Sequence, residues 1–322
     1  MSNWARAVPP RAGMADVLPK GCLPAILAGL PLRIKCLAAA ISDPSRAVNA
    51  RTRPLDRRGP IPPVIRATSE ELLDVLCART GLVCAVGAGG KKSTLYRLAM
   101  AHLQAGTPRI GLTTTVTMAP PPRSLAPQRL IADAPELRCE LPTLAARHRL
   151  VMYAQPSSKP GRVGGLPPGL IPELHTQGGF TVTLIKADGA RMRWLKAPRP
   201  GEPVLPPRVT TVLPLVSARA LGQPLGKAIA HRLERVVALT GAEVGEPLQP
   251  VHLARFLAGR AGGLQGVGEA TVVPVINMVD DPTRLAGARA AAEMALGMSE
   301  RFDRVVLAAM VLNDPVVEVV AR

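Results

Sequence analysis

Aromatic side chains are scarce: Phe, Trp and Tyr make up 2% of the 322 residues. A core must therefore be built from aliphatic residues and methionine, and stacking platforms for single-stranded nucleic acid are few, which makes nucleic acid an unlikely partner. The five cysteines, Cys22, Cys36, Cys77, Cys84 and Cys139, include no C-x-x-C pair. Neither a zinc site nor a disulfide framework is indicated, and the expected setting is the reducing cytoplasm. Cys84 falls inside an apolar run and reads as a small core residue rather than a reactive thiol. Uninterrupted apolar runs of membrane-spanning length are also lacking. The most apolar early stretch, Cys22 to Ile41, is broken by Pro24, Pro31, Arg33 and Lys35, so it is not expected to cross a membrane or act as a signal peptide.

Acidic residues are the fourth deficit. Asp and Glu number 23 against 40 Lys and Arg, a formal charge of +17. The excess is uneven: residues 1–66 hold 11 basic and 3 acidic side chains and ten prolines, without a sustained helical or alternating period. This segment reads as a Pro/Arg-rich, disordered or weakly structured extension. Residues 67–322 read as one domain. At 47% hydrophobic residues overall, the chain can bury a proper core.

Order begins at Thr68-Ser69-Glu70-Glu71, a capping box ahead of an apolar helical period. Leu82 to Val86 then reads as a buried strand, Gly87-Ala88-Gly89-Gly90 as a turn, and Lys91 onward as a helix with Leu95, Leu98, Ala99 and Leu103 on one face. A second strand follows at 109–116. Further strands are expected at 149–153, 180–187, 209–216, 271–277 and 304–312, alternating with helices at 134–147, 227–239, 250–258 and 283–296. The alternation predicts an α/β fold: a mostly parallel sheet with helices on both faces, a P-loop NTPase-like three-layer α/β/α arrangement.

Strand, glycine turn and helix in that order read as a phosphate-binding loop, because glycines let backbone amides approach an anion at a helix N-terminus; the other reading is an ordinary tight turn into a helix. Gly87, Gly89 and Gly90 would cradle phosphate, and Lys91 or Lys92 would supply the charge. The spacing departs from G-x-x-x-x-G-K-[ST] in either register, leaving Ser93 and Thr94 as the nearby hydroxyls for Mg²⁺. A dinucleotide fingerprint is rejected, since position 92 is lysine and the second strand ends in Thr113-Thr114-Thr115 rather than an acid. Asp188, ending an apolar strand, is the candidate metal carboxylate beside the loop; with Lys91 it is the candidate catalytic pair. Arg191, Arg193 and Lys196 behind it could meet phosphate or form a solvated face. Asn277-Met278-Val279-Asp280 reads either as an element that recognises the nucleotide base or as a strand end and helix cap.

Taken in order, Val86 to Lys91, Thr113 to Thr115, Ala187 to Arg191, Leu195 to Pro198, Glu202 to Pro206, His231-Arg232 and Ile276-Asn277-x-x-Asp280 resemble the YqeC family. The resemblance runs over about residues 70–312, with the block from Ala187 to Pro206 its most specific part. It implies a nucleotide-binding accessory protein, using ATP or GTP with Mg²⁺, in maturation of a selenium-dependent molybdenum hydroxylase or its molybdopterin-type cofactor. Within it Ser93, Thr94 and Asp188 would hold Mg²⁺, and Thr113, Thr114 and Thr115 would sense the γ-phosphate. Three positions depart from the family pattern: Lys92 replaces a threonine, Lys186 an acidic residue and Met278 a lysine. The added lysines favour a second expectation, an adaptor that binds nucleotide or a pterin phosphate and docks a hydroxylase without turnover. Nucleic-acid binding through residues 1–66 is the least favoured.

Overall fold

The computed structural model describes residues 69–322. The expectations for residues 1–66 and for Thr68 as a helix cap lie outside the described residues.

The chain runs α1 (Ser69–Val75), β1 (Gly81–Gly87), α2 (Lys91–Gln104), β2 (Ile110–Thr114), β3 (Gln128–Ile131), α3 (Ala134–Arg147), β4 (Leu150–Ala154), α4 (Leu170–Gln177), β5 (Val182–Lys186), β6 (Leu195–Lys196) and β7 (Thr211–Ser217). It continues through β8 (Ala230–His231), α5 (Leu233–Thr240), α6 (Pro250–Ala258), β9 (Thr271–Val272), β10 (Val275–Asn277), α7 (Pro282–Met298), β11 (Arg304–Ala308) and β12 (Val316–Ala321). The main sheet has the order β12-β11-β10-β7-β1-β5-β2-β4-β3, with β9 also paired to β7. Its pairs are parallel except for β11 with β12. The fold is the α/β/α, P-loop NTPase-like architecture expected from the sequence.

Residue alternation in β1 explains the three layers, since neighbouring side chains on a strand point to opposite faces. Val83 and Ala85 pack with Leu95, Leu98 and Ala99 of α2 and with α1. Leu82, Cys84 and Val86 face the other way, into a core shared with α3, α4, α6 and α7. Both faces of the central strands are buried, which is why they read as continuous apolar runs. Cys84 is wholly buried and desolvation raises its thiol pKa, as befits a core residue. Two of the few aromatics pair: Tyr153 and Phe180 stack with centroids 5.5 Å apart.

Two expected elements are corrected. The strand at 271–277 is divided into β9 and β10 at Val273-Pro274, because proline brings no N–H to a ladder. The helix at 227–239 is confined to α5. Residues 230–231 form β8 against β6, and Arg232 caps the helix with φ 65°. Five elements were not anticipated: the polar edge strand β3, the short α4, the two-residue strands β6 and β8, and β12. Each is short or alternates too weakly to stand out from its loops.

What positions the site is the reversal at β1. From β1 the chain builds β5, β2, β4 and β3 on one side, then returns to build β7, β10, β11 and β12 on the other. In open α/β sheets ligands bind at the carboxyl ends of the strands where the order reverses in this way.

Candidate functional site

The turn after β1 is shaped by three glycines with positive φ: Gly87 at 83°, Gly89 at 80° and Gly90 at 116°. A Cβ on Gly87 would lie 2.4 Å from the Leu215 carbonyl oxygen, and one on Gly90 would lie 2.2 Å from Asn277 Nδ2. The turn is pinned to its neighbours by Ala88 N–H donating to Leu215 O (2.9 Å) and Gly87 N–H donating to Asp188 Oδ2 (2.9 Å). Gly90 caps α2 with no side-chain acceptor, so the first turn of a 14-residue helix begins at the cleft edge without a capping group.

Beneath the turn lies a chain of buried ions. The Lys91 side chain folds back to donate to Gly87 O and to pair with Asp188 Oδ1 at 2.8 Å. Asp188 Oδ2 accepts from Lys196 Nζ at 2.6 Å, and Lys196 also pairs with Glu202 at 2.7 Å. Arg232 closes the chain, holding both Glu202 oxygens at 2.7 and 2.8 Å. Burial lowers the Lys91 pKa, with Asp188 opposing the shift. At Glu202 burial works upward, but hydrogen bonds and charge from Arg232 and Lys196 outweigh it and hold the carboxyl at about 2.

Above this chain opens a cleft of about 870 Å³, lined by nine lysine or arginine side chains and one carboxylate, Glu202. Gly89, Gly90 and Ser93 form one wall, and the exposed Arg191 and Arg193 overhang another. Lys186 ends β5 at the cleft, buried and without an ion-pair partner among the described residues. Burial, then the charge of Lys91, depresses its pKa to about 7, against the pull of Asp188.

The YqeC family model, described as YqeC protein, matches residues 83–234. That span runs from β1 to the start of α5 and contains the turn and every member of the buried ion chain. Over that span the chain is similar to the YqeC family. A relative in Escherichia coli (strain K12), "Uncharacterized protein YqeC", is 29% identical over 194 residues, covering 59% of this chain and 72% of that protein.

Within this fold the expected residues separate into groups. Gly87, Gly89, Gly90, Lys91 and Asp188 come together at the turn. Lys92 is exposed and Ser93 half-buried, both on the cleft wall, and Arg191 lines the opposite side. Lys196 is wholly buried beneath the cleft. Thr94 is buried and its hydroxyl turns back to Gly90 O at 3.2 Å. The threonine hydroxyls are committed to backbone: Thr113 to Tyr153 O, Thr114 to Lys186 O and Thr115 to Val204 O, at 2.7 to 2.9 Å. They fasten β2 to its surroundings and do not line the cleft.

Asn277 donates to Gly89 O (2.8 Å) and accepts from Met310 N–H (3.1 Å), tying the turn to the end of β11. Asp280 pairs with Arg219 at 2.7 Å and Arg284 at 3.2 Å. Met278, φ 63°, lines the cleft between them, its sulfur accepting from the Ser217 hydroxyl.

The residues expected to hold Mg²⁺ do not fit it as arranged. Both Asp188 oxygens are already met by ammonium groups, and the charge of a second cation there would be repelled. Among the described residues no group of three or more His, Cys, Asp or Glu side chains could hold a metal. Nor is any helix among them long and apolar enough to cross a membrane.

Lys186, Glu202 and Arg232 also belong to the site, while Lys159 and Arg162 line the cleft away from the turn, and composition or spacing assigns none of them a role. The one local signal was a lysine ending an otherwise apolar strand just before Asp188. Glu202 and Arg232 reach the site only through β6 and β8, which are too short to read from a pattern.

Proposed function

We propose that this protein binds a nucleoside triphosphate, ATP or GTP, with its phosphates on the Gly87–Gly90 turn and the first turn of α2. The base lies toward Met278 and Asp280, on the β7 and β10 side. The observation that carries this reading is the placement of Lys91. It begins α2, folds back onto the glycine turn, and stands at the edge of a cleft whose charged side chains are nine cations and one carboxylate. Helix N–H groups, glycine backbone and lysines together recognise phosphate oxygens.

Binding without rapid turnover is the form of the reading that the site favours. Asp188 is held between Lys91 and Lys196, so a metal that would neutralise charge developing in a phosphoryl transfer must displace or face two ammonium groups there. A cationic site that holds ground state and transition state alike gives affinity rather than rate. In that form the protein is a nucleotide-responsive adaptor, and the similarity to the YqeC family supports placing it in maturation of a selenium-dependent molybdenum hydroxylase.

Thermal unfolding in the presence of ligand tests both parts. Saturating ATP or GTP should raise the Tm of the full chain, as any ligand of the folded state does. Phosphate release should stay at the level of a Lys91→Ala control. No Tm shift with either nucleotide overturns the binding reading, and release well above the control overturns the adaptor form.

A further inference from the structure

The cleft is more cationic, and cationic over a greater breadth, than one triphosphate requires. Lys159 and Arg162 stand at the tip of the segment that follows β4, both exposed and neither ion-paired among the described residues. The tip is built rather than loose. Met118 and Val163 exchange backbone hydrogen bonds of 3.1 and 2.8 Å, Gly164 N–H donates to Gln155 O at 2.7 Å, and Leu166 N–H to Thr114 O at 2.8 Å. A Cβ on Gly165 would lie 2.2 Å from the Thr115 carbonyl carbon, so the segment is pressed against the end of β2.

The strand order separates this pair of charges from the glycine turn. β4 is three strands from β1 on the β5 and β2 side, whereas the base side of the cleft belongs to β7 and β10. The segment is held against the end of β2, two strands from β1, so at about 4.8 Å per strand it stands about 10 Å from the turn, in the direction away from the base. Phosphates seated on the turn end where Lys186 begins. Lys159 and Arg162 therefore face space that the nucleotide does not fill.

We propose that Lys159 and Arg162 bind a second, phosphate-bearing small molecule beside the nucleotide, with Lys186 between the two. This rests on the nucleotide reading for its geometry. A small molecule suits the site because the cleft volume falls in the range of small-molecule pockets, and a polymer would need a longer track. Trp194 is the one aromatic side chain on the cleft wall, too little for a stacked strand of bases. An ammonium beside a guanidinium matches a phosphate group, with the guanidinium able to make paired hydrogen bonds.

Inorganic pyrophosphate is the probe, titrated calorimetrically at fixed ionic strength into the full chain, alone and saturated with whichever nucleotide binds. The free protein should take two equivalents and the nucleotide-loaded protein one. In the Lys159→Ala, Arg162→Ala double variant the equivalent that survives nucleotide should weaken about tenfold or more, while nucleotide affinity changes less than about twofold. Both side chains are exposed, so the variant should fold, and an unchanged Tm checks this. A single equivalent on the free protein, full competition by nucleotide, or equal weakening of both ligands overturns the proposal. If no nucleotide binds, the nucleotide reading fails, and the stoichiometry on the free protein still decides for or against a second anion site.

Discussion

At the scale of single residues, the ion chain under the glycine turn governs what the site can do. Lys196 is fully buried and neutralises two carboxylates at once. Removing one partner of a buried pair leaves uncompensated charge, so Lys196→Met should lower stability by about 3–5 kcal/mol in urea unfolding. A loss below about 1 kcal/mol would show that Lys91 and Arg232 suffice without it. Glu202 gives a prediction in pH. Its folded pKa of about 2 lies below the ordinary glutamate value of 4.5, so it contributes stability above the ordinary value and loses it as pH falls toward 2. Glu202→Gln should therefore be less stable than wild type at pH 6, with the gap narrowing between about pH 4.5 and 2. A gap independent of pH would mean that the carboxylate's charge is not what matters.

At the scale of elements, the unit that matters is β1, the turn and α2, held by Asn277 from the end of β10. Gly90→Ala meets two obstacles, a φ of 116° and a Cβ placed 2.2 Å from Asn277 Nδ2. The expected loss is about 1–3 kcal/mol, and a double variant with Asn277→Ala should lose less than the sum of the two single changes. Additive losses would mean that the Asn277 contact does not constrain the turn. This unit was legible in the sequence because its order is local: an apolar run, glycines, then a helical period within about 20 residues. The alternation of later strands and helices likewise gave the layers. Pro274 and the two-residue strands β6 and β8 were not legible, since strands of two residues carry no period. Asp188 was visible as a strand-terminal acid, but its partners Lys91 and Lys196, and the Glu202 and Arg232 that extend the chain from Lys196, meet through tertiary contacts. The threonine cluster was visible too, and there chemistry misled: hydroxyls that look available in sequence are spent on backbone carbonyls, those of Tyr153 and Lys186 on adjoining strands and that of Val204 in a loop.

At the scale of the whole molecule, a sheet whose order reverses at β1 gathers the ends of several strands around one basic cleft. Apart from residues 1–66, much of the chain's excess of positive charge is gathered in this cleft, which nine lysines and arginines line. Charge-assisted recognition of this kind is screened by salt where it is exposed, so affinity for phosphate ligands should fall as ionic strength rises. The central claim is that the glycine turn and α2 hold nucleotide phosphates. It is tested most directly by calorimetric titration of the full chain with ATP and with GTP, alongside Lys92→Ala and Gly90→Ala. One equivalent of at least one nucleotide should bind to wild type, more weakly to Lys92→Ala, and with further loss in Gly90→Ala. Folded wild-type protein with no measurable affinity for either nucleotide would contradict the account.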